Sequence, residues 1–175
     1  MKRKLLAVAL PITLALGVGC SNKDVAEDKK TDSLQVADKD IQEVSKGKEK
    51  SETNAEKEYK SKLNSLLADV TKQAPELSAI LTSDKPLIEK ANEYMEKSEP
   101  LKETSDKISA LDPGEKYKDV HTTVQKAMYK LKSGTMVIGQ GLNLKDDSLV
   151  KSGAESMEES SKLLFEADTK LKEIK

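Results

Sequence analysis

Cysteine and histidine each occur once in this 175-residue chain, as Cys20 and His121, and that scarcity bounds the chemistry. One thiol leaves nothing for an internal disulfide, and one imidazole cannot assemble a histidine-based triad or a multi-histidine zinc site within one chain. His121 sits beside Val120 and near Tyr117 on an apolar stripe. The expectation there is a neutral imidazole at the edge of a core, satisfied by a neighbour, not a metal ligand. Gly139-Gln140-Gly141 opens like a dinucleotide loop, but Leu144 occupies the third glycine position and no strand precedes it. Gly134, Gly139 and Gly141 are therefore read as permitting close helix contact, or fraying near a helix end. Asp146-Asp147-Ser148 lacks the alternate-residue spacing and glycine turn of a calcium loop and fits a helix cap. The carboxylate pairs Glu96 with Glu99 and Glu158 with Glu159 read as solvated helix faces. Met128, Met136 and Met157 with Tyr94 and Tyr129 could line an adaptable groove, although helical spacing already assigns Met128 and Met157 to a core. No cofactor and no metal are expected.

The elements that must position these residues begin with an address. Lys2-Arg3-Lys4 precedes an uncharged run from Leu5 to Gly19, the length of a signal h-region and short for a membrane span. Leu14-Ala15-Leu16-Gly17-Val18-Gly19-Cys20 resembles the lipobox of bacterial lipoproteins, with small residues leading into a cysteine. Gly17 departs from the pattern, standing where that motif most often has Leu. The resemblance covers the first 20 residues and implies cleavage between Gly19 and Cys20, a diacylglycerol thioether on Cys20 and a further acyl chain such as palmitate on its new amino group. Two or three chains anchor a protein stably where one does not. The readings this leaves open are an uncleaved anchor and a plain secretory signal with an incidental cysteine. In overall style the Lys- and Glu-rich remainder resembles small uncharacterised lipoproteins of spore-forming Gram-positive bacteria.

With residues 1–19 removed, three of the 30 basic residues go, leaving 27 against 31 acidic ones and a formal charge of −4. That sign argues against nucleic acid as a partner. Residues 20–53 are rich in Lys, Asp, Glu and Ser with scattered apolar residues, too little apolar area to offset ordering. They are expected to form a disordered tether of roughly 30 Å reach. Leu34, Ala37, Ile41 and Val44 allow a marginal helical turn within it.

Residues 54–175 carry four stretches with the 3–4 apolar alternation of packed helices. Their stripes run Tyr59, Leu63, Leu66, Val70, Leu77, Ile80; Leu87, Ala91, Tyr94, Leu101, Ile108; Tyr117, Val120, Val124, Ala127, Leu131, Ile138; and Val150, Met157, Leu164, Leu171, Ile174, the last widened by Ala154, Phe165 and Ala167. One Phe and no Trp favour a helical core over a sheet. Start signals punctuate the stripes: Ser83-Asp84-Lys85-Pro86, Asp112-Pro113-Gly114-Glu115 with Asp112 as N-cap and Glu115 completing a capping box, and Asp146-Asp147-Ser148. Short linkers fold each helix back on its predecessor, so the expected architecture is all-α, an up-down-up-down four-helix bundle. The apolar phase carries through Pro75 and Pro100, which predicts kinked but continuous helices, with six shorter helices as the second reading. Gln73, Ser98, Ser105 and Gly134 fall at stripe positions that should be apolar, the mark of a loosely packed bundle or of one that opens to a partner.

The functional expectation is a lipid-anchored module on the extracytoplasmic face of the cell membrane. It is non-enzymatic and meets an envelope protein or cell-wall component through a helix face. The second reading is a small-molecule or lipid carrier with its ligand between helices. An enzyme would have to work with carboxylates, Lys, Ser and Tyr that no spacing singles out.

Overall fold

The computed structural model describes residues 53–174, which form four helices: α1 (Asn54–Thr82), α2 (Leu87–Ser109), α3 (Lys118–Leu144) and α4 (Asp147–Glu173). The expected signal peptide, the expected cleavage site at Gly19 and Cys20, and all of the expected tether of residues 20–53 but Thr53 lie outside the described residues. The helices run up, down, up and down, and backbones approach closely along α1–α2, α2–α3 and α3–α4. One apolar cluster draws on all four, and within it Val70, Ala91, Ile108 and Ala127 have no exposed surface. At about 1.5–3 kcal/mol for each large apolar side chain buried, this cluster is what holds the four stripes together.

Both prolines lie inside continuous helices, Pro75 in α1 and Pro100 in α2. Ser98 and Ser105, two of the polar interruptions of the stripes, are buried and internally satisfied, whereas Gln73 is half-buried and its side-chain carbonyl oxygen finds no hydrogen-bond partner. Ser105 and Thr104 donate to the carbonyls of Leu101 and Pro100 at 2.8 Å, and Thr135 to that of Leu131 at 2.8 Å. Ser160 of α4 donates at 2.7 Å to the Ala127 carbonyl of α3, so it links two helices. Back-bonding of this kind lets a hydroxyl enter a core without an unpaired donor.

The helix starts differ from expectation in two of three cases. Asp146 caps α4 as expected, accepting from the backbone N–H of Ser148 at 2.9 Å and of Leu149 at 3.3 Å. Asp112 does not cap α3, which begins six residues later at Lys118. Its carboxylate instead accepts from the Gly114 N–H at 3.0 Å, and Gly114 adopts φ of +62°, a left-handed turn that a helix cannot include. The N–H of Lys116 is satisfied from another element, by the Glu56 carboxylate of α1 at 3.2 Å. Nor does Asp84 cap α2, whose N-cap is Pro86 with no side-chain bond. The Ser83 hydroxyl donates to the Ile80 carbonyl at 2.8 Å and the Lys90 ammonium to the Leu81 carbonyl at 3.1 Å, so this joint serves the end of α1. A capping box the sequence reading did not single out starts α1: Glu56 N–H donates to the Thr53 hydroxyl at 3.2 Å and Thr53 N–H to the Glu56 carboxylate at 2.8 Å. Phe165 is a further correction. It is exposed, because Leu164 and Ala167 take the core-facing positions of that turn.

Helices α3 and α4 approach most closely through glycine. A Cβ on Gly134 would lie 2.6 Å from the Gly153 carbonyl oxygen, and a Cβ on Gly153 would lie 2.6 Å from that of Gly134. Only a residue without a side chain fits there. The α3–α4 turn is equally tight. Lys145 takes φ of +57°, the Asp146 N–H donates to the Gly141 carbonyl at 2.8 Å, and the Lys145 N–H donates to that of Leu142 at 3.3 Å, a Schellman closure with Lys in the usual glycine position.

Candidate helix-face binding site

The residues with chemical potential separate into a sealed cluster and an open seam. The cluster joins the starts of α1 and α3. Tyr59 stacks on Tyr117 with ring centroids 5.7 Å apart and meets His121 edge-on at 5.4 Å. Its hydroxyl lies 3.2 Å from His121 Nδ1. Burial pushes the Tyr59 phenol up to about 12, so it remains a donor, and burial lowers His121 below its ordinary value of 6.5 despite the Ser109 carbonyl and Asp112 nearby. A neutral imidazole accepting from Tyr59 at Nδ1 carries its proton on Nε2, which finds no partner in hydrogen-bond geometry. The Lys60 and Lys116 ammonium groups lie 5.8 and 5.9 Å from the centre of the Tyr117 ring. Tyr59 is 2% exposed and His121 5%, so a solute cannot reach the pair and its work is to dock α1 on α3.

Glu56 binds this cluster to the chain ahead of α3 by accepting from both Thr53 and Lys116 N–H groups. The Thr53 backbone bond comes first among the causes that hold its carboxyl below the usual range. The other sequence candidates have structural work. Gly139-Gln140-Gly141 lies within α3, where a Cβ on Gly141 would come within 2.7 Å of the Val150 nitrogen. Glu158 pairs with Lys162 at 2.8 Å, and Glu159 reaches Lys130 of α3 at 2.6 Å. Glu99 pairs with Lys102. Among the described residues no three His, Cys, Asp or Glu side chains gather as a metal site requires, and no helix is long and apolar enough to cross a membrane.

The seam lies between α2 and α3 on the outer face. Of the five residues read as a possible groove, Tyr94, Met128 and Met157 are core, whereas Tyr129 and Met136 are 71% and 49% exposed. These two stand seven residues apart on α3, two turns along one face. Across from them on α2 is Met95, 47% exposed, whose sulfur receives a hydrogen bond of 2.9 Å from Asn143. A groove of about 470 Å³ runs along this seam, with Met128 and Val137 in its lining. Polar side chains fasten it. Lys132 of α3 meets both carboxylate oxygens of Asp106 of α2 at 2.7 Å, and Gln125 donates to the Ser109 carbonyl at 2.9 Å. The arrangement sets exposed apolar side chains on either side of one ion pair, suited to holding a surface in place.

The sequence profile of the family described as Domain of unknown function (DUF7018) matches residues 53–168. Its first residue is Thr53 of the α1 capping box and its last falls in α4, so the family unit and the bundle nearly coincide. No curated protein and no solved structure matches the chain. With more than half of its residues covered by that profile, the chain belongs to the DUF7018 family.

Proposed function

We propose that this chain is a lipid-anchored, extracytoplasmic helical module that acts by holding another envelope component against its α2–α3 face, without catalysing a reaction. The observation that carries the binding role is the concentration of exposed apolar side chains on one seam. Tyr129, Met136 and Met95 share it, three of the six large apolar side chains exposed among the described residues, the others being Ile88, Leu144 and Phe165. The anchor rests on the sequence: a charged start, an uncharged run and Gly19-Cys20 at its end. The non-catalytic role is supported by His121, whose ring is enclosed and held neutral by its surroundings. Nucleic acid is disfavoured as a partner by the net negative charge of the chain beyond residue 19.

The experiment has two readouts. The intact mass of protein purified from membranes is expected to equal residues 20–175 plus a diacylglycerol, with or without one further acyl chain. Cys20→Ser is expected to abolish both the lipid and the cleavage. Crosslinking on whole cells is then expected to capture an envelope component, with Tyr129→Asp reducing the yield. A free thiol at Cys20 in exported material would sink the anchor, and an unchanged yield with Tyr129→Asp would sink the face. The carrier reading is weaker. The apolar cleft between α1 and α4, lined by Leu63, Leu67, Val124 and Leu164, has room of about 20 Å³. That is well below the roughly 300 Å³ at which small-molecule sites begin, and the α2–α3 groove, which at about 470 Å³ does reach that size, lies open on the surface beside the exposed Tyr129 and Met136 and does not enclose a ligand between helices.

A further inference from the structure

We infer that the occupant of the α2–α3 face is a second copy of this chain, in a dimer whose two-fold axis runs parallel to the helices. This rests on the binding role proposed above and names the partner. Asp106 and Lys132 face one another across the seam and are therefore at the same height along the bundle, one on α2 and one on α3. A two-fold axis along the seam preserves height and exchanges left for right. It sets α2 of one copy against α3 of the other, so each Lys132 meets the Asp106 of the second copy. The other in-plane two-fold, perpendicular to the helices, would lay α2 on α2 and bring Asp106 toward Asp106.

Charge therefore selects one arrangement, and the apolar residues fit it. Tyr129 and Met136 bracket Lys132 on α3 by about one turn below and above, so apolar contact flanks the exchanged ion pairs on both sides. The Lys132 and Asp106 side chains are 38% and 62% exposed, so exchanging an intramolecular for an intermolecular pair costs little. Area permits it as well. A face two helices wide, about 20 Å, and the length of α2, about 35 Å, offers on the order of 700 Å² per copy, within the range of specific interfaces. The same axis leaves the start of α1 on the same side in both copies, as two chains anchored in one bilayer require.

The test uses full-length chains with two different tags, co-expressed and purified from membranes in mild detergent, with recovery of the second tag through the first as the readout. Wild-type copies are expected to co-purify. Asp106→Lys in both copies, or Lys132→Asp in both, places like charges opposite one another, and recovery should drop about tenfold. Asp106→Lys in one copy with Lys132→Asp in the other should restore it. Each of those variants has lost its internal ion pair, so only attraction between the two chains accounts for the rescue. Thermal melts of both variants within a few degrees of wild type, as loss of a surface pair implies, exclude misfolding as the cause. Wild-type copies that do not co-purify, single substitutions without effect, or a mixed pair that stays apart would each overturn the inference. So would a different protein displaced by the same substitutions while the copies remain single. Copies that co-purify with an unlipidated Cys20 would remove the anchor and keep the dimer, whereas lipidated single copies would do the reverse.

Discussion

At the scale of single residues, His121 makes the stability of the bundle respond to mild acid. Burial holds its folded pKa below the ordinary 6.5, so as pH falls through that value the unfolded chain takes up a proton that the folded chain refuses. Stability is then complete above about 6.5 and declines as pH drops toward the folded value. Melting curves at about pH 7.5 and 5.5 are expected to show a larger loss for wild type than for His121→Gln, and parallel losses would contradict the assignment. Removing the donor instead, with Tyr59→Phe, leaves Nδ1 of a buried imidazole without a partner and should cost about 1–3 kcal/mol in urea denaturation at neutral pH. Tyr94 offers the contrast. Its buried hydroxyl lies near that of Thr135 but not in hydrogen-bond geometry, so Tyr94→Phe is expected to leave stability unchanged or raise it slightly. That His121 would be a neutral group at the core edge was legible from its place beside Val120. Its partner was not, because Tyr59 is 62 residues away and only the docking of α1 on α3 brings them together.

At the scale of elements, the apolar period named the helices and most of their buried faces, since burial of a stripe at 3.6-residue spacing has few solutions. The caps were less legible. Asp112 and Asp84 have the residue types of N-caps, yet Glu56 and the Ser83 carbonyl-directed bond satisfy those joints from elements distant or opposite in role, which local sequence does not encode. Phe165 shows the same limit: with Leu164 adjacent, hydrophobicity alone left open which of the two faces inward. The glycines of α3 separate by their surroundings. Gly139→Ala places a Cβ at an ordinary 3.5 Å from Met95 and should stabilise by up to about 1 kcal/mol, the difference in helix propensity. Gly134→Ala meets the Gly153 carbonyl at 2.6 Å, backbone that cannot rotate away, so α3 and α4 must separate. That should outweigh the propensity gain and give a net loss of about 1–3 kcal/mol. Chemical denaturation of the two variants side by side checks the pair, and a shift of the same sign in both would refute the packing argument.

At the scale of the whole molecule, the four helices are not equivalent, although the sequence presents them with similar periods. Helix α3 packs closely on both α2 and α4, and its buried set includes residues along nearly its full length, from Val120 to Leu142. The backbone of helix α1 approaches only that of α2, and α1 meets α3 and α4 through side chains, at the Tyr59 cluster and around a small apolar cleft. Local opening follows the weakest attachment, because the energy needed to free an element scales with the packed surface it gives up. Hydrogen exchange under native conditions is therefore expected to show the slowest amides in the centre of α3, opening only with global unfolding, and faster exchange in the centre of α1. Equal protection in both helices would show that α1 is held by more than its contacts with α2 and the Tyr59 cluster. The order matters for binding. Tyr129, Lys132 and Met136 project from α3, so the face that carries the proposed contact stands on the element that moves least, and its side chains are held in position before a partner arrives.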